Sequence, residues 1–200
     1  YGIFARVCYL GVNTELFHPV SVSKRDFVLS VGGLVPKKGF DFLIQSLALM
    51  TTEHRPPLVI ISNFADLQEQ QYLEALANQF GVSMTIRVGV SDDELIRLYN
   101  QARLTLYAPV MEPFGFVPLE SMACGTPVIA VNEGGVRESV VHEQTGLLIE
   151  RHARRFADAV SMSLSSEFLD SYGKEAQKNV KANWTWDSTI SRLEDSLANV

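Results

Sequence analysis

A chain of 200 residues, 46% of them hydrophobic, is long enough to bury one sizeable core or two small ones. Its net charge is −6 and it has no long basic run, which argues against nucleic acid as a partner because phosphate binding needs a clustered basic face. No apolar run approaches the ~18 residues that span a bilayer, so the sequence gives no indication of membrane association. Two distant cysteines, Cys8 and Cys124, favour reduced thiols and a cytoplasmic location.

Strand-like and helix-like segments alternate along most of the chain. Residues 1–26 are the least regular part and are predicted to be an incoming strand and loop. Six apolar, β-rich segments are predicted as strands: Phe27–Val31, Leu58–Ser62, Met84–Val88, Leu104–Ala108, Pro127–Val131 and Gly146–Ile149. Amphipathic segments between them are predicted as helices: Phe40–Met50, Asp66–Phe80, Asp92–Gln101 and Val117–Cys124. This order predicts a doubly wound, parallel α/β sheet of about six strands.

After Arg151 the chain becomes polar and helical. Two or three helices are predicted from there to Asn199, with Trp184 and Trp186 as packing anchors near the start of the last one. The short basic cluster at residues 151–155 is interpreted as a solvated start of a helix rather than as a phosphate site.

Three glycine-bearing loops follow predicted strands, at the sheet edge where open α/β sheets bind ligands. The first, Val31–Gly39, combines paired glycines with Lys37 and Lys38, which are suited to close backbone approach and to phosphate. It matches neither the P-loop nor the dinucleotide fingerprint. Taken alone, a glycine-rich turn with solvated lysines explains it equally well.

The second loop is framed by two glutamates, Glu112 and Glu120, and the third is Val131–Glu138. Glu112 is predicted in the loop beyond a strand end and Glu120 inside the helix that follows. Carboxylates suit a ligand rich in hydroxyls, and the amides of the first helical turn between them suit an anion. Three such loops in one domain favour a ligand site.

These segments together resemble the retaining family 4 glycosyltransferases. The resemblance rests on Gly125–Ile149, on the Glu112–Glu120 spacing, on Val31–Gly39 and on the lead-in Gly11–Pro19, and it covers about residues 7–195. It implies the carboxyl-terminal, donor-binding half of a GT-B enzyme, whose acceptor-binding amino-terminal half is absent. The implied division is a lead-in at residues 1–26, a Rossmann-like nucleotide-sugar-binding domain at 27–182 and a carboxyl-terminal helix at 183–200 that crosses toward the missing half.

The resemblance also implies roles for individual residues. Glu120 would hold the ribose hydroxyls, Glu112 would face the transferred sugar, and Lys38 would contact the diphosphate, so Glu112 and Lys38 are the candidate catalytic residues. Further donor contacts are expected at Gly32, Gly33, Lys37, Val88, Gly89, Val90, Phe114, Gly115, Phe116 and Val117. The implied activity is transfer of a hexose-type sugar from a nucleoside diphosphate sugar to a glycan, lipid or small-molecule acceptor. No metal or cofactor is expected, and the isolated fragment is expected to be inactive.

The chain departs from the family pattern at its first loop. Gly33 stands where the family usually has an arginine that shares the diphosphate with the lysine, and Lys37 is the candidate substitute. The strand Leu58–Ser62 also leads into Asn63-Phe64-Ala65-Asp66 instead of a glycine-rich turn, and Leu10 replaces a common asparagine. Two alternatives therefore stay open: a non-catalytic or degenerate nucleotide-sugar-binding subunit, and a GT-B nucleotide-sugar epimerase. The missing half would allow a membrane-peripheral location.

Overall fold

The chain folds around one parallel sheet with helices on both faces. A computed structural model describes residues 6–23, 26–164 and 166–198. The strands are β1 (Val28–Val31), β2 (Leu58–Ser62), β3 (Met84–Val88), β4 (Leu104–Tyr107), β5 (Val128–Val131) and β6 (Gly146–Ile149). The helices are α1 (Phe40–Ala48), α2 (Leu67–Phe80), α3 (Asp92–Gln101), α4 (Phe116–Ala123), α5 (Val136–Ser139), α6 (Ala153–Ser163), α7 (Ser166–Asn183) and α8 (Trp186–Ala198).

The strand order is β3-β2-β1-β4-β5-β6, and every neighbouring pair is parallel. The predicted doubly wound sheet of about six strands is therefore confirmed. The chain builds outward from β1 in one direction and then returns to add β4 on its other side. The edge between the carboxyl ends of β1 and β4 is the switch point where such sheets bind ligands.

Apolar side chains from each strand enter two cores, one on each face of the sheet. In β5, for example, Val128 and Ala130 belong to one core, while Ile129 and Val131 belong to the other. Residues of α3, α4 and α7 build the first core, and residues of α1, α2 and α6 build the second. Because both faces are covered, the strands carry continuous apolar runs instead of alternating patterns.

A buried hydroxyl network fixes α4 against its neighbours. The Ser121 hydroxyl donates to Thr105 Oγ1 of β4 at 2.7 Å and to the Thr126 carbonyl at 2.9 Å. The Thr126 hydroxyl in turn donates to the Tyr99 carbonyl of α3 at 2.7 Å. Hydrogen bonds between buried groups are geometrically demanding, so this network sets the position of α4 relative to β4 and α3.

The structure differs from the predicted elements in three places. The lead-in shows no strand in its described part, residues 6–23, beyond a single bridge between Val12 and Thr185. The loop predicted at Val131–Glu138 contains the short helix α5, whose one turn is too brief to show periodicity. Of the two tryptophans, Trp184 is buried, but Trp186 is 48% exposed, so the prediction that both act as packing anchors is wrong for Trp186.

The rest of the helical tail follows the prediction, with α6, α7 and α8 continuing to Ala198. Within the described ranges, no helix has both the length and the apolar character needed to cross a membrane. Cys8 and Cys124 do not form a disulfide.

Candidate functional site

A cleft of about 680 Å³ lies over the carboxyl ends of the central strands. Loops after β1, β2, β3 and β4 and the first turns of α4 form its walls, as expected for the switch point of this fold. The lining residues are Val31, Gly32, Gly33, Val35, Lys37, Lys38, Ile61, Ser62, Asn63, Phe64, Val90, Asp92, Leu95, Tyr107, Glu112, Gly115, Phe116, Val117 and Glu120.

Lys38 and Glu112 form an ion pair inside this cleft. Lys38 Nζ lies 2.8 Å from Glu112 Oε2, and the two side chains are only 20% and 25% exposed. The loops that carry them are also joined through the backbone, since the Val110 N–H donates to the Lys37 carbonyl at 2.8 Å. The pair holds both side chains at the cleft and partly neutralises the lysine, so an anionic ligand would share this cation with Glu112.

The amino terminus of α4 opens into the cleft at Gly115. This residue is the N-cap, with φ of 88°, and no side chain caps the helix. A Cβ at Gly115 would lie 2.6 Å from the Tyr107 hydroxyl, so both the conformation and the space require glycine. Pro118 has no N–H, which leaves the amides of Phe116 and Val117 as first-turn donors suited to an anion.

The loop that carries Glu112 rests on the glycine pair of the third predicted loop. The Gly135 N–H donates to the Glu112 carbonyl at 2.8 Å. A Cβ at Gly134 would lie 2.3 Å from that carbonyl oxygen, and a Cβ at Gly135 would lie 2.1 Å from the Pro113 carbonyl oxygen. These glycines therefore support the Glu112 loop by close backbone approach and do not line the cleft themselves.

Glu120 is held by a tyrosine that sequence reasoning did not identify. The hydroxyl of Tyr99, a fully buried residue of α3, donates to Glu120 Oε2 at 2.7 Å. Burial raises the pKa of Glu120, the Tyr99 hydrogen bond lowers it, and the charge of Asp92 raises it, leaving it above the ordinary value. Since Tyr99 uses Oε2, the other oxygen can accept a hydrogen bond from a ligand in the cleft.

Phe64 occupies the space beside Gly33. A Cβ at Gly33 would lie 2.6 Å from Phe64 Cζ and 2.8 Å from Cε1. Ser62 fixes the backbone around the ring, because its hydroxyl donates to the Phe64 carbonyl at 2.5 Å and accepts from the Leu34 N–H at 3.2 Å. Two of the three departures from the family pattern, Gly33 and the segment that contains Phe64, therefore lie side by side.

The structure brings most of the predicted site residues together at this cleft. Three of them do not line it: Val88, Gly89 and Phe114. Phe114 packs instead against Phe116 and Trp184, with ring centroids 5.0 Å and 6.0 Å away. Of the loop Val88–Val90, which is predicted to contact the nucleotide base, Val90 lines the cleft.

The basic cluster at residues 151–155 contains the start of α6, with His152 as N-cap and Arg154 and Arg155 exposed, as predicted. Arg151 is the exception, because its side chain is engaged. Its guanidinium donates to the Ala108 and Pro109 carbonyls and pairs with Glu133 at 2.8 Å. It also lies 5.2 Å from the centroid of the Phe42 ring. The hydrogen bonds from Arg151 lower the pKa of Glu133. Arg151 therefore anchors the segment after β4.

Among the residues with described positions, no group of three or more His, Cys, Asp or Glu side chains could hold a metal ion. A second groove, of about 640 Å³, lies between the lead-in and α7, near Pro19, Gly125, Leu169 and Gly173. Neither Glu112 nor Glu120 lines this groove.

Comparison with known proteins agrees with the fold. A mannosyltransferase of Mycobacterium tuberculosis, GDP-mannose-dependent and acting on phosphatidylinositol monomannoside, is 32% identical over 98% of this chain and 57% of its own length. An Anabaena protein, HepE, solved with UDP-glucose, superposes with a TM-score of 0.85 at 21% identity, covering 98% of this chain and 57% of that one. The carboxyl-terminal domain of LpcC, a group 1 glycosyl transferase of Francisella tularensis, superposes with a TM-score of 0.75 at 22% identity, covering 88% and 99%.

The chain spans about half the length of the curated relatives it matches, whereas it covers almost all of the isolated LpcC domain. Residues 13–182 match the family described as glycosyl transferases group 1. The resemblance noted from the sequence is thereby confirmed: the chain belongs to the group 1 glycosyl transferases and corresponds to the carboxyl-terminal domain of their GT-B fold.

Proposed function

We propose that this chain is the donor-binding domain of a retaining glycosyltransferase and that its cleft binds a nucleoside diphosphate sugar. The observation that carries the proposal is the placement of Glu112, Lys38 and Glu120 around the open amino terminus of α4. Two carboxylates suit the hydroxyls of two sugars, and the lysine and helix amides between them suit a diphosphate.

Glu120 is the proposed contact for the ribose. An ionised carboxylate accepts hydrogen bonds from a cis-diol, and Tyr99 already fixes its orientation. The diphosphate would then lie at the Phe116 and Val117 amides within reach of Lys38. The base would run along the loop Val88–Val90, of which Val90 lines the cleft.

Glu112 is the proposed contact for the transferred sugar. Breaking the bond between the anomeric carbon and the diphosphate builds negative charge on the leaving group and positive charge on the sugar ring. Lys38 and the helix-start amides stabilise the first charge, and the Glu112 carboxylate stabilises the second. Because Glu112 is committed to an ion pair with Lys38, we assign it a positioning and electrostatic role and not that of a covalent nucleophile.

The sugar is proposed to be a hexose. Two similar proteins support this proposal: one relative is a GDP-mannose-dependent mannosyltransferase, and one structural neighbour was solved with UDP-glucose. The acceptor would be bound by an amino-terminal half, which is consistent with the match covering only 57% of the mannosyltransferase's length.

An apolar stripe on α8 is the proposed contact with that half. Trp186, Ile190, Leu193 and Leu197 lie at helical spacing and are each 47–67% exposed. The helix is anchored to this domain through Thr189, whose hydroxyl donates to the Tyr9 carbonyl at 2.9 Å.

Thermal unfolding of Leu193→Glu tests this contact. The substitution should destabilise the full-length protein but not this isolated chain, and equal effects in both would reject the contact.

Calorimetry with UDP, GDP and ADP tests the donor site. We expect one of the three to bind the isolated chain and sugar transfer to require the full-length protein. No binding of any of them at millimolar concentration would refute a competent donor site.

A non-catalytic sugar-nucleotide-binding subunit is the second candidate, favoured by the Phe64 ring, which lies where the Cβ of the usual arginine would be. Sugar transfer by the unmodified full-length protein would eliminate it. Transfer only after Gly33→Arg, combined with Phe64→Ala, would support it.

A further inference from the structure

The Tyr107 hydroxyl lies where the first turn of α4 meets the cleft. Tyr107 is the last residue of β4 and is only 4% exposed, yet it lines the cleft. Its hydroxyl would be 2.6 Å from a Cβ on Gly115, the N-cap of α4. The ring is therefore part of the core, and the hydroxyl is the portion that reaches the ligand space.

No described residue forms a hydrogen bond with this hydroxyl, whereas the buried Tyr99 hydroxyl is bonded to Glu120. Buried phenolic hydroxyls usually have a partner, because an unpaired polar group away from water is costly. A hydroxyl that opens into a cleft can take its partner from whatever binds there.

The surroundings keep the Tyr107 hydroxyl protonated, so it can donate a hydrogen bond. Burial and the charges of Glu112 and Glu120 raise the pKa of Tyr107 well above its ordinary value, so the proton stays on the oxygen at any physiological pH. The nearby amides of Phe116 and Val117 are donors as well. Several converging donors at one point match an anionic oxygen.

We propose that the Tyr107 hydroxyl donates a hydrogen bond to a diphosphate oxygen of the nucleotide sugar bound at the start of α4. This rests on the proposed function and adds a residue that the sequence did not indicate. It also supplies a donor to the diphosphate in a chain whose Gly33 offers no side chain. During transfer the bond would stabilise the charge that grows on the departing nucleoside diphosphate, without moving a proton.

Tyr107→Phe removes one oxygen and tests the proposal with little structural change. The matched control is Tyr72→Phe, the same change at a half-exposed residue of α2 outside the cleft. Calorimetry would compare the tightest binder among UDP, GDP and ADP with the corresponding nucleoside, and thermal unfolding would be recorded without ligand.

We expect Tyr107→Phe to weaken nucleoside diphosphate binding about 10- to 150-fold, as for a hydrogen bond to a charged group. Nucleoside affinity should change less than about twofold, and Tyr72→Phe should leave both unchanged. The unliganded Tm should stay the same or rise, because the hydroxyl has no protein partner to lose.

Unchanged diphosphate affinity in Tyr107→Phe would overturn the proposal. So would an equal loss for nucleoside and diphosphate, or a lower Tm, since either points to a structural role. These results would leave the proposed function standing, whereas failure of the wild-type chain to bind any nucleoside diphosphate would refute both.

Discussion

Gly33→Arg, with and without removal of the Phe64 ring, gives the sharpest test of how this cleft departs from its family. The backbone of Gly33 lies outside the left-handed region, so arginine fits its conformation. The new Cβ would sit 2.6 Å from Phe64 Cζ, against the 3.4–4 Å of ordinary contact, so the ring must move by about 1 Å. Because Phe64 is 52% exposed, its ring can turn toward solvent.

The clash and the new charge act on different quantities. Overpacking typically costs about 1–3 kcal/mol, and a half-exposed ring places this case near 1 kcal/mol. Because the new Cβ meets the ring with or without ligand, this cost lowers the free energy of unfolding of Gly33→Arg and cancels from binding. A guanidinium bonded to the diphosphate contributes about 1.5–3 kcal/mol, so Gly33→Arg should tighten the Kd about 10- to 150-fold whether or not the Phe64 ring is present.

The assay is calorimetry and thermal unfolding of the wild type, the two single variants and the double variant, with one nucleoside diphosphate as the ligand. The unfolding cycle should give a coupling energy of about 0.5–1.5 kcal/mol between positions 33 and 64, because Phe64→Ala relieves the clash. Additive effects on the free energy of unfolding, or no tightening of binding by arginine in the Phe64→Ala background, would refute the reasoning.

Three further predictions concern the residues that build the cleft. Glu120→Ala should weaken nucleoside diphosphate binding by about 1–3 kcal/mol in calorimetry; unchanged affinity with an intact fold would reject the ribose assignment. Tyr99→Phe should raise the pKa of Glu120 further, because it removes the bond that lowers it. The measurement uses a nucleotide sugar, because its esterified phosphates do not titrate between about pH 5 and 8. Ribose binding needs the ionised carboxylate, so affinity should rise with pH, and the midpoint of that rise should be higher in Tyr99→Phe than in the wild type. Identical pH profiles would contradict this. Gly135→Ala should lower the Tm by several degrees, since its Cβ would lie 2.1 Å from the Pro113 carbonyl oxygen, and an unchanged Tm would show that the loop yields freely.

Much of the fold could be predicted because local patterns determine it. Strands covered on both faces carry continuous apolar runs, and their predicted bounds differ from the observed ones by at most one residue, as at Pro127 and Ala108. The alternation of strand and helix requires parallel crossovers, and the ligand edge of the sheet follows from that topology. Glu112, Lys38 and Glu120 meet there because each follows a central strand.

The remaining features depend on packing between distant segments. Tyr99 and Glu120 meet because α3 and α4 pack together on one face of the sheet. Phe64 reaches Gly33 only because β1 and β2 are neighbours. The sole sequence signal for Tyr107 is a tyrosine at the carboxyl end of a buried strand, and its meaning appears only once Gly115 lies beside it.

The most direct test of the donor-binding account is a crystal structure of the chain with the nucleoside diphosphate that binds best. The account predicts ribose hydroxyls at Glu120 and the diphosphate at the start of α4 beside Lys38. A nucleotide bound instead in the groove near Gly125 and Gly173, with the cleft empty, would contradict it.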